Sequence, residues 1–188
     1  MASDDTAVLT RHRLTSDEYY LAAKTGVLKP EDRVELIEGE IIDMAPIGPD
    51  HEGAVMGLNR ALVLACGDMG LVSPQNSIRL GDWSAPQPDF AVFRPRDDFY
   101  AKGERAGPSD TLLVVEVSDT SLHYDRTVKL PLYARYGIGE VWILDVKRRA
   151  LTAHRDLSSG AYRTAVTYQA GEIVTLALEP GIAVTLMF

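Results

Sequence analysis

The chain has 188 residues, 46% hydrophobic and 24% charged, with 15 glycines and 10 prolines, which fits one globular domain and excludes disordered and fibrous classes. A formal net charge of -8 counts against a protein that coats nucleic acid non-specifically, although residues 1–52 carry 12 acids and 5 bases whereas 123–155 carry 7 bases and 3 acids. No apolar run approaches the roughly 20 residues that span a bilayer, and residues 1–13 lack the apolar centre of a signal peptide, so a cytoplasmic location without membrane attachment is expected.

Thr15 or Ser16 caps a short helix through Asp17, Tyr19, Tyr20 and Ala23, with Gly26 as its stop, and residues 1–28 read as a helical lead-in. RVELIEGEIIDM carries two apolar stretches around Glu38 and Gly39 and predicts a β-hairpin at a sheet edge. Val55, Leu58, Leu62, Ala65, Cys66 and Met69 recur at helical spacing, predicting a helix capped by Asp50 and stopped by Gly70, with Cys66 a packed thiol. Strands over 71–80 and 89–93 follow, separated by the turn-rich GDWSAPQP.

Residues 94–110 are polar and aperiodic, a long surface loop of the kind that borders binding sites. TLLVVEV predicts a buried strand ending near Ser118. Helical spacing through Val128, Leu132 and Tyr136 places a helix from Tyr124 or, because Pro131 suits only a first turn, from near Thr127; either start leaves Lys129 close to its N-terminal end. EVWILDV is another buried strand, and ALTAHRD, AYRTAVTY, EIVTLAL and AVTLMF predict a meander of strands. Trp83 and Trp142 read as packing residues.

Glu116 carries the strongest chemical signal, because it interrupts an apolar strand where an unpaired carboxylate would cost several kcal/mol. Asp89 opens another strand behind the rigid PQP segment, so the two carboxylates can converge at neighbouring strand ends, where a divalent cation would satisfy both. Lys129, thirteen residues after Glu116, can lean back from the following helix over that strand end. Taken singly, each has a structural reading: Asp89 caps a turn, Glu116 pairs with an arginine at the core edge, Lys129 is solvated.

As a set, RVELIEGEI, HEGAV, PQPDFAVF, VVEVSDTSLHYDRTVKLPLYARYGIGEVWILD and the strand-rich tail resemble the bacterial Uma-two family of the PD-(D/E)xK nuclease superfamily. The resemblance implies a restriction-endonuclease-like α/β (α+β) fold, a mixed central sheet flanked by helices with additional antiparallel strands at the C-terminus. It implies that Asp89 and Glu116 bind Mg²⁺ or Mn²⁺, with the Val117 carbonyl as a further ligand. Ser118 stands where the parent pattern has lysine, so Lys129 is read as the relocated lysine, supported by Asp125 and Arg126. Glu35 matches a family glutamate at the metal site, with His51 near it; their plain readings are an exposed strand carboxylate and a helix-start histidine.

The expected activity is hydrolysis of phosphodiester bonds in nucleic acid, DNA above all, by a homodimer. Two rival readings remain: a non-catalytic module that binds a protein partner or itself, and a metal-independent hydrolase using Glu35 and His51. HEGAV lacks the second histidine of a zinc helix, since position 55 is Val. His12, His123 and His154 show no metal spacing, and no phosphate-cradling or dinucleotide glycine motif occurs. Lys147, Arg148 and Arg149 form a short basic turn.

Overall fold

The computed structural model describes residues 10–103 and 105–188; the first nine residues of the expected lead-in and Glu104 of the long loop lie outside them. Of the two expected caps, Thr15 or Ser16, it is Thr15 that caps α1 (Ser16–Lys24), through a capping box with Glu18. Strands β1 (Val34–Ile37) and β2 (Glu40–Asp43) pair antiparallel around Glu38 and Gly39, at φ 51 and 82, the left-handed pair that a two-residue hairpin requires. This hairpin is its own two-stranded ladder rather than an edge of the main sheet, touching the chain beyond it through a Leu36–Ala85 bridge.

Helix α2 (Pro49–Cys66) is capped by Gly48, with Pro49 at the first helical position, so Asp50 lies inside the first turn instead of capping it. It closes at Gly67, three residues before the expected Gly70. Cys66 is buried, and burial pushes its thiol up to about 11, which suits a packed and unreactive sulfur. Strand β3 (Leu71–Pro74) stops at a proline that cannot extend the ladder, so the strand expected over 71–80 is less than half realised.

The remaining strands are β4 (Phe90–Phe93), β5 (Thr111–Ser118), β6 (Val141–Asp145), β7 (Ala150–Ser158) and β8 (Ala161–Gln169). They follow β3 in the order β3-β4-β5-β6-β7-β8, antiparallel throughout except for the parallel pair β5/β6. A parallel pair demands a crossover, here the helical segment 122–135. The expected meander continues only as far as β8: β9 (Ile173–Thr175) and β10 (Ala183–Thr185) pair solely with each other. Trp142 is fully buried as expected, whereas Trp83 is 40% exposed. Among the described residues no helix is long and apolar enough to cross a membrane.

The two-residue period of a strand sorts β5 onto two cores. Leu113, Val115 and Val117 pack with Leu58, Leu62 and Cys66 of α2. Val114 faces the opposite core with Leu132 and Tyr133, and Glu116, two residues on, shares that face.

The crossover begins as α3 (Leu122–Tyr124), widens into a π-turn over Asp125–Lys129 and resumes as α4 (Leu130–Arg135). Pro131 lies in the first turn of the regular helix α4, which starts at Leu130, three residues beyond the expected Thr127. The Leu130 amide reaches back five residues to the Asp125 carbonyl, and this wider turn relieves the clash that a proline ring imposes on a regular α-helix. Lys129 ends the π-turn and is the N-cap of α4, so it lies at the N-terminal end of the regular helix, as expected.

Helix α2, which carries His51, is held against the C-terminal tail: a Cβ at Gly57 would run into the Met187 carbonyl, whereas one at Gly53 would meet nothing within 4 Å. Helix propensity alone favours alanine at both positions by about 1 kcal/mol. Thermal unfolding should show Gly53→Ala raising Tm by about 2–4 °C and Gly57→Ala lowering it, because backbone overlap costs about 1–3 kcal/mol and outweighs the propensity gain.

Candidate active site

Phe90 pairs with Val115 across β4 and β5, and one further step in that antiparallel register sets Asp89 opposite Glu116. The Val117 amide donates to Asp89 Oδ2 at 2.8 Å, so β5 itself fixes this carboxylate. The other oxygen, Oδ1, lies 3.2 Å from His51 Nε2 at the start of α2. The Asp89 hydrogen bond raises the His51 pKa above its ordinary value, against the opposing effect of burial.

From the crossover, Asp125, Lys129 and Tyr133 follow one another at intervals of four and are all buried. The Lys129 ammonium lies 2.8 Å from Glu116 Oε1 and 3.2 Å from Glu35 Oε2 of the hairpin. The Tyr133 hydroxyl donates to Glu116 Oε1 at 2.6 Å, and the Gln87 amide donates to Glu35 Oε2 at 3.0 Å. Asp125 accepts from the hydroxyls of Ser118 at 2.7 Å and Ser121 at 2.6 Å. Glu35, Glu116 and Lys129 are each no more than 3% exposed.

Burial pushes Glu116 well above the usual carboxylate range; Lys129 opposes this, and the charges of Asp125, Asp89 and Glu35 add to it. Burial alone would lower Lys129, but Glu116, Glu35 and Asp125 around it outweigh that and hold it firmly as an ammonium. Asp125 is likewise raised by burial in spite of Lys129 and its two serine donors. Glu35, Glu116 and Asp125 thus gather about Lys129, with Asp89 held by His51 nearby, so carboxylates outnumber the lysine at this place.

These groups line a cavity of about 330 Å³ with Glu35, His51, Asp89, Glu116, Tyr124 and Lys129 on its walls. The structure thus brings together Asp89, Glu116 and Lys129 from three separate elements, with Val117, Glu35, His51 and Asp125 around them. The plain readings of Glu35 as exposed and Lys129 as solvated fail on burial, and Glu116 pairs with Lys129 rather than with an arginine. Glu35 and His51 engage different partners, Lys129 and Asp89, which leaves no direct pair for a metal-independent mechanism. The long loop borders a different cavity, through Phe99 and Tyr100. Tyr133 was not picked out by sequence reasoning, although its four-residue step beyond Lys129 was visible.

Among the described residues no three histidine, cysteine or carboxylate side chains already surround one point closely enough to hold a metal. What converges instead is a pair of hard oxygen donors, Asp89 and Glu116, within a cluster short of positive charge. That set suits Mg²⁺ or Mn²⁺, which take one or two carboxylates and keep waters or substrate oxygens, better than a closed zinc cage.

A family model described as "Uma2: Putative restriction endonuclease" matches residues 17–187, nearly the whole chain. The chain belongs to the Uma2 family. A solved structure from Anabaena variabilis ATCC 29413, titled as a "putative nuclease belonging to DUF820", superposes with a TM-score of 0.65 at 14% identity over 87% of this chain and 89% of its own. The Uma2 chain thus has the restriction-endonuclease-like mixed sheet that its sequence predicts, and family and fold together indicate a nuclease-like protein. No curated protein matches it.

The electrostatics of this Uma2 site fix the sign of two stability changes. Glu116 has its folded-state pKa raised, so its contribution is most favourable below the unfolded value and is lost as pH rises. In metal-free buffer Glu116→Gln should therefore melt above wild type at pH 8, with the gap closing toward pH 5. Lys129→Met strands Glu35 and Glu116 without their cation and should lose about 3–5 kcal/mol at neutral pH, part of it recovered on acidification. Melting curves of the three proteins across that pH range test both signs.

Proposed function

We propose that this chain is a divalent-metal-dependent endonuclease that hydrolyses phosphodiester bonds, with DNA as its substrate. The observation that carries this reading is the meeting of Asp89, Glu116 and Lys129 in one cavity whose carboxylates outnumber its cations. Asp89, Glu116 and the Val117 carbonyl are the groups that would hold Mg²⁺ or Mn²⁺. When bound, such an ion polarises a phosphate oxygen and acidifies water at the site.

The chain's own residues supply the rest. Lys129, kept as an ammonium by Glu116 and Glu35, offers positive charge where negative charge develops on the phosphoryl oxygens. Tyr133 and Lys129 together lock Glu116, while the Val117 amide and His51 orient Asp89. Asp125, pinned by Ser118 and Ser121, adds a third negative neighbour that keeps the lysine charged. Cutting both strands of a duplex needs two such sites, and a homodimer would supply them.

The net charge of -8 favours a second reading, a module that keeps the fold and binds a protein partner or itself. Metal separates the two. Calorimetric titration with Mn²⁺ and a plasmid-nicking assay should show binding and cleavage by wild type, and neither by Glu116→Ala. Lys129→Ala, assayed below its melting temperature, should slow nicking by about 10²–10³-fold. Undiminished nicking by Glu116→Ala would end the endonuclease reading, and absence of both Mn²⁺ binding and nicking in wild type would favour the module.

A further inference from the structure

Tyr124 closes α3 immediately before the π-turn and takes no part in the mechanism above. Its side chain is half-buried and lines the same cavity as Lys129, five residues on. The hydroxyl itself is buried and has no hydrogen-bond partner among the described residues. Three buried polar side chains of the crossover are engaged elsewhere: Asp125 by two serines, Lys129 by two glutamates, Tyr133 by Glu116. A buried hydroxyl left unpaired costs about 1–3 kcal/mol, so such a donor on a side chain that lines the cavity points to a partner that arrives from outside as the site takes up its ligand.

We propose that Tyr124 is a substrate-contacting residue of this site, its hydroxyl donating a hydrogen bond to a phosphate oxygen of the bound nucleic-acid strand. This rests on the endonuclease reading and extends it to a residue in the SLHYDRTVK segment that carries neither metal nor charge. The chemistry suits the place. A cavity walled by carboxylates repels a phosphate, and a neutral donor offers a hydrogen bond without the desolvation cost of a second buried cation. Burial, with Glu35 beside it, pushes the phenol above its ordinary pKa, so it remains protonated and serves as a donor rather than as a base.

The test compares wild type with Tyr124→Phe as full chains by three measurements: thermal unfolding, binding of a short DNA duplex in Ca²⁺, and nicking in Mn²⁺. The expected variant melts at or above the wild-type temperature, since it loses only an unpaired hydroxyl. It should keep the wild-type Mn²⁺ affinity and bind the duplex about 10-fold more weakly, as loss of one hydrogen bond to a charged group implies. Equal duplex affinity in the two proteins would overturn the role of Tyr124 while leaving the endonuclease reading standing if wild type nicks. A variant that loses binding only in proportion to a fall in Tm would show a packing residue instead, and also overturn it. A wild type that neither binds the duplex nor nicks would remove both proposals together.

Discussion

A single buried ammonium ties this molecule's distant parts together. Lys129, from the helical crossover, sits between Glu116 of a central strand and Glu35 of the N-terminal hairpin, three side chains almost without solvent. Charges that deep are tolerated only when paired, and here the pairing is unequal because Asp89 and Asp125 add further negative charge nearby. The arrangement gives up stability to concentrate carboxylates at one place. On the proposed endonuclease reading, a divalent cation would join them.

The scaffold explains why these groups meet. Antiparallel pairing of β4 with β5 sets Asp89 opposite Glu116, and the strand period turns Glu116 toward the crossover rather than toward α2. The π-turn accommodates Pro131 while keeping Asp125, Lys129 and Tyr133 directed inward. Helix α2 brings His51 to Asp89 from the other side, and its seating depends on a glycine that lets the C-terminal tail approach its backbone. These contacts join residues far apart in the chain, and the cavity lies where the hairpin, α2, the two strands and the crossover converge.

Much of this was legible in the residues. An acid inside TLLVVEV demands a partner in a buried strand, and PDF after a rigid PQP segment marks a second strand-end carboxylate. The continuous apolar run of β5 marked a buried strand, and Thr15 or Ser16 marked the start of α1. What periodicity does not carry is the irregular backbone: the π-turn, the early end of β3 at Pro74, the capping of α2 by Gly48, and the separation of β9 and β10 from the main sheet. Those features depend on tertiary packing and on which amides find partners. Glu35 was legible only through the family resemblance, since by itself a glutamate in VELIEGE reads as solvent-facing until the hairpin is folded onto the lysine.

On the proposed function, the excess carboxylate at this cavity is a cation site built from Asp89 and Glu116. Anomalous X-ray diffraction from crystals soaked in Mn²⁺ tests it most directly. The account predicts a strong manganese peak between those two carboxylates. Density showing no manganese there, with Glu116 still bound to Lys129 and Asp89 to His51, would contradict it.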